Sequence, residues 1–127
     1  MDTLVAIFAD KSVNPKQLRE TISSIIVSGT LEIETLISFA HTARPPLKAT
    51  CIEAIEYVTR LHNIRLTQPQ LSWVIGCLAA KEPHVIWESA KVTGNVIAHH
   101  PVLVAQATAA LLPLAEHKGT VVRWSAA

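Results

Sequence analysis

The chain has 127 residues, which limits it to one domain with a sizeable core or one run of small stacked repeats. Half of it is apolar, only 17% is charged and its mean hydropathy is +0.33, yet no stretch reaches the roughly 18 uncharged apolar residues of a membrane span. The 11 Lys and Arg against 10 Asp and Glu form no basic stripe, so a phosphate backbone finds no electrostatic footprint, and two cysteines without CxxC spacing exclude a disulfide framework.

The predicted elements are all helices. The first covers about 2–11; its "TLVAIFA" is too short for a secretory leader and is preceded by Asp2 and not by a basic residue, so a cytoplasmic location is expected. Further helices are predicted at about 15–28, 31–43, 46–62, 69–81, 84–98 and 101–117, with a stub from 120. Proline punctuates them at Asn14-Pro15, Arg44-Pro45-Pro46, Gln68-Pro69, Glu82-Pro83 and His100-Pro101. It suits the first helical turn because its missing N–H would have no partner there. No alternating run bounded by an Asn-Gly or Asp-Gly turn suggests a hairpin.

An internal period runs through these helices. "LISFAHTARPPLKATC" from Leu36, "VIGCLAAKEPHVIWES" from Val74 and "LLPLAEHKGTVVRWSA" from Leu111 align without a gap at offsets of 38 and 37 residues. The unit is an antiparallel helix pair in a single repeat domain, with repeats at about 2–29, 31–64, 69–100 and 101–127, the last incomplete. One continuous core is expected to hold Leu36, Ile37, Leu47, Ala54, Ile55, Val58, Val74, Ile75, Leu78, Val85, Val92, Val96, Leu111, Leu112 and Leu114. "VVRWSAA" reads as a second helix that has barely begun, so either a longer parent chain or a second subunit is expected to cover Val121, Val122 and Ala126.

The period and the residues "LLPLAEHKGTVVRWSAA" resemble the HEAT and armadillo class, most closely the HEAT-type repeats. There a proline interrupts the first helix and V-R-x-x-A opens the second; "EPHVIWESAKVTGNVI" is similar, with Gly94 where such repeats often carry glycine. The resemblance implies a right-handed α-solenoid of about seven helices plus the stub, working as a non-catalytic scaffold that binds another protein along its second helices. HEAT-like relatives also imply two alternatives, a nucleic-acid-binding module and a lyase-associated subunit.

Helical wheels locate the binding face. On the helix from about 84, Val85, Ser89, Val92 and Val96 centre the apolar stripe, with Ile86 and Ile97 at its edge. Trp87, Glu88, Lys91, Gly94, Asn95 and Ala98 fall on the other side, as do Ala49, Glu53, Glu56, Tyr57 and Arg60 one repeat earlier, and Trp124 takes the place of Trp87 one repeat later. Tyr57, Trp87 and Trp124 are the expected anchors, oriented by Arg60, Lys91 and Asn95, because Trp, Tyr and Arg dominate interface hot spots. The competing expectation is that each Trp packs between repeats.

No cofactor, metal or catalytic group is expected. Adjacent His99 and His100 point about 100° apart on a helix and cannot share an ion, while His62 and His100 suit helix C-termini as capping cations. Glu53 and Glu56 read as a solvated face, and Cys51 has no His or Asp at a spacing that would form a dyad.

Overall fold

The computed structural model describes residues 2–10 and 12–116. It is all-helical, with seven α-helices: α1 (Asp2–Ala9), α2 (Pro15–Val27), α3 (Ile33–His41), α4 (Pro45–Leu61), α5 (Gln68–Gly76), α6 (Pro83–Val96) and α7 (Val104–Leu111). Short 3₁₀ turns extend α5 over Cys77–Ala79 and α6 over Ile97–His99, precede α7 over Pro101–Leu103, and follow it over Leu112–Glu116. Among the described residues there is no strand.

Local chemistry sets most boundaries. Asn14 caps α2 reciprocally: its Oδ1 accepts the Gln17 N–H at 2.9 Å, and Gln17 Oε1 accepts the Asn14 N–H at 3.1 Å, with Pro15 in the first turn. Thr67 and Gln70 repeat this capping box at α5. Two N–H groups that would otherwise have no partner are satisfied at each site. Gly29, at φ +83°, ends α2 by turning the chain back, so that the N–H of Gly29 reaches the Ile26 carbonyl and that of Leu31 reaches Ile25. Asn63 plays this part after α4 at φ 51°. Pro113 has no N–H for the α-ladder, which accounts for α7 stopping at Leu111 and tightening to a 3₁₀ turn.

The helices lie in two rows. In one, α4 packs against α2 on one side and α6 on the other. The other row is tied by side chains: Phe8 of α1 stacks on Phe39 of α3 at 5.2 Å, and Trp73 Nε1–H of α5 donates to His41 Nδ1 of α3 at 3.2 Å. Gln106 of α7 donates to Ser72 of α5 at 3.3 Å. Between the rows runs one core containing Leu4, Ile22, Leu36, Ile52, Ile55, Val58, Leu71, Val74, Leu78, Val85 and Val92.

Most of the expected core is buried, including the repeat-equivalent pairs Leu36 with Val74 and Ile37 with Ile75. The third unit departs from its register. Leu112, equivalent to Ile37 and Ile75, is 65% exposed, while Leu47 and Leu111 are half-buried. Leu114, inside the 3₁₀ turn that begins at Leu112, is buried as expected. The cysteines are free thiols, with Cys51 buried and Cys77 half-buried; burial pushes them up to about 12 and about 11.

Candidate functional site

Helices α2, α4 and α6 carry a connected set of charged and aromatic side chains. Glu56 of α4 sits at its centre and is only 3% exposed. Its carboxylate accepts from Arg60 Nε at 2.8 Å and Nη2 at 3.3 Å, and from Asn95 Nδ2 of α6 at 3.0 Å, while Lys91 Nζ lies 3.8 Å away. Asn95 also donates to the Glu56 carbonyl and to Thr59 Oγ1, which staples α6 to α4. Burial by itself raises the Glu56 carboxyl, but the hydrogen bonds from Arg60 and Asn95 and the charge of Lys91 outweigh it and hold the group below its ordinary value.

Around this centre the aromatic rings lie against cations. The Arg19 guanidinium of α2 stands 5.2 Å from the Tyr57 ring centre and that of Arg60 stands 6.0 Å away. Lys91 Nζ lies 4.9 Å from the Trp87 ring centre, and Trp87 is 39% exposed. Tyr57, Arg60, Glu56, Lys91 and Trp87 thus form one chain of contacts across α4 and α6. Tyr57 also borders a groove of about 410 Å³ between α2 and α4, together with Ser23, Ser24, Val27, Ser28 and His62.

Five of the six expected site residues therefore come together: Tyr57, Arg60, Trp87, Lys91 and Asn95. Trp124 lies outside the described residues, as do Val121, Val122 and Ala126. Asn95 directs its Nδ2 inward to Glu56 and Thr59, Arg60 pairs with buried Glu56, and Lys91 lies between buried Glu56 and Glu88.

The solvated acidic face expected for these helices needs correction. Glu56 and Glu88 are each 3% exposed, Ala49 is buried and Glu53 is half-buried. The wheel treats everything opposite the apolar stripe as solvent. A helix flanked on both sides within a row, as α4 is, presents much of that arc to its neighbours instead.

Two participants escaped the sequence reading. Arg19 Nη1 reaches Glu53 Oε1 at 3.4 Å across a separation of 34 residues, for which the sequence carries no signal. His84 was legible in principle, because it stands one helical turn before Glu88. Its Nε2 lies 3.5 Å from Glu53 Oε2 and 3.7 Å from Glu88 Oε2. Burial raises the Glu88 carboxyl, against which Lys91 offers only part compensation, and among the described residues Glu88 Oε1 has no hydrogen bond, only the ion pair with Lys91 at 3.4 Å. The histidines expected to cap helix ends behave differently from each other. His62 is the C-cap residue of α4; His100 is the C-cap residue of the 3₁₀ turn that extends α6, and it also donates Nε2–H to the Leu66 carbonyl at 2.8 Å, which ties the α4–α5 connection to that end.

Among the described residues no helix is long and apolar enough to cross a membrane. Comparison with family models, with curated proteins and with solved structures finds no match for this chain.

Proposed function

We propose that this chain is a non-catalytic scaffold, a right-handed HEAT-like α-solenoid that binds another protein through the face of its second helices. The observation that carries the reading is the exposed Trp87 lying under Lys91, joined through Glu56 and Arg60 to Tyr57. Rings that are part-exposed yet held by neighbouring cations bind a partner at small entropic cost, because their rotamers are already restricted. The adjoining cations are largely balanced by Glu53, Glu56 and Glu88, so the face offers aromatic area without strong net charge. This favours a protein segment or helix carrying an apolar side chain. It counts against the nucleic-acid alternative, whose affinity would come mostly from unbalanced Lys and Arg. Two aligned rows of helices, with the 38-residue register in α3 to α6, support the solenoid.

The test compares wild type with Trp87→Ala and Tyr57→Ala as baits, each checked for native circular dichroism. A partner retained by wild type should bind each variant roughly thirtyfold more weakly, the consequence of losing about 2 kcal/mol at an anchor. Equal binding by folded variants would place the interaction elsewhere. Binding of a bare oligonucleotide at low salt that the tryptophan controls would favour the nucleic-acid reading.

A further inference from the structure

We infer that Glu53 of α4 with His84 and Glu88 of α6 forms a binding site for a divalent transition-metal ion, zinc being the best match to its donors. The packing of α4 along α6 brings Glu53 beside a His–Glu pair one helical turn apart, and one ligand atom from each residue lies within 4.8 Å of the others. The converging atoms are His84 Nε2 and the Oε2 atoms of both carboxylates, at 3.5 Å and 3.7 Å from the imidazole nitrogen. In a tetrahedral zinc site, metal–ligand bonds of about 2.1 Å set ligands about 3.4 Å apart, so small side-chain adjustments complete the geometry.

The outer oxygens strengthen the case. Glu53 Oε1 is held by Arg19 at 3.4 Å, and Glu88 Oε1 lies 3.4 Å from Lys91 Nζ. Each carboxylate is thus oriented through one oxygen while it turns the other inward, which is how surrounding groups aim metal ligands. A second and independent observation points to a ligand. Glu88 is 3% exposed; among the described residues its buried Oε1 has no hydrogen bond and only the Lys91 ammonium at 3.4 Å beside it, while Oε2 is turned toward His84 Nε2 at 3.7 Å. Lys91 compensates this buried carboxylate on one oxygen only, and a cation bound on the Oε2 side would complete the compensation. His84 is half-exposed on its side chain and gives an entry path, with a fourth position left to water. The imidazole nitrogen favours zinc or a neighbouring transition ion over magnesium and calcium, which prefer all-oxygen sites.

The experiment titrates the whole chain with zinc chloride alone, using a chromophoric chelator as competitor. One zinc per chain should bind, and a large excess of magnesium should not displace it. His84→Ala and Glu88→Gln should each weaken that binding by roughly tenfold or more, while His99→Gln leaves it unchanged. His84 is half-exposed and Glu88→Gln keeps the shape, so native circular dichroism of both variants separates loss of the site from loss of fold. No stoichiometric zinc in the wild type, unchanged affinity in either folded variant, or an equal loss in His99→Gln would overturn the site.

Discussion

At the scale of single residues, Glu56 and Glu88 present one chemistry under two conditions. Both carboxylates are buried, but Glu56 has hydrogen-bonded partners in Arg60 and Asn95 while Glu88 Oε1 has none among the described residues. The folded chain lowers the Glu56 value, so its stabilisation is complete above the unfolded value near 4.5 and is lost as pH falls through the folded one. Glu56→Gln should therefore lower stability by about 2 kcal/mol at pH 7, with the deficit shrinking in acid below that value; urea unfolding across pH checks this. Glu88→Gln removes a charge whose burial is poorly compensated. Without added metal it should leave stability at pH 7 unchanged or higher, the opposite sign from its neighbour. The thiols give a third check at this scale. Cys51 and Cys77 are pushed up to about 12 and about 11, so iodoacetamide near pH 8 should label native protein far more slowly than unfolded, with half-buried Cys77 reacting before Cys51. Equal rates in native and unfolded protein would contradict that burial.

At the scale of elements, helix starts were legible because they are made by neighbours in sequence. Pro15, Pro45 and Pro83 each open a helix as their spacing predicts, and α5 begins one residue before Pro69 because Thr67 and Gln70 cap it. Helix interiors were legible where burial follows the 3.6 period, as at Val85, Ser89, Val92 and Val96. What the sequence does not reveal is lateral packing: no periodicity tells that Glu88 lies beside Glu53 of α4, or that Arg19 meets Glu53. The aromatic and cationic residues of the site were therefore legible as a face, and the carboxylate network beneath them was not. The stop signals allow a direct test. Gly29 has open space around the position of a Cβ, so Gly29→Ala should cost about 1 kcal/mol through its φ of +83° alone. Thr67→Ala should cost a similar amount, about 1 kcal/mol, by orphaning the Gln70 N–H. Thermal melts of the two variants measure both, and a neutral Gly29→Ala would show that the turn relaxes.

At the scale of the whole molecule, the question is whether the two rows behave as a stack or as one indivisible bundle. In the fold α4 touches both α2 and α6, and α1 meets α3 through Phe8 and Phe39. In a stack each unit leans only on its neighbours, so stability is a sum of local interfaces and damage at one end stays there. Leu4 provides the lever, since it is fully buried in α1 although that helix is the first and one of the shortest. Leu4→Ala should remove about 2–5 kcal/mol of local packing, the usual cost of such a cavity. Native-state hydrogen exchange would then report where the loss falls. A stack predicts faster exchange in α1 and α2, with α6 amides keeping their wild-type protection because α4 and its bridges to Asn95 lie between. A single cooperative bundle predicts an equal loss of protection in every helix, α6 included.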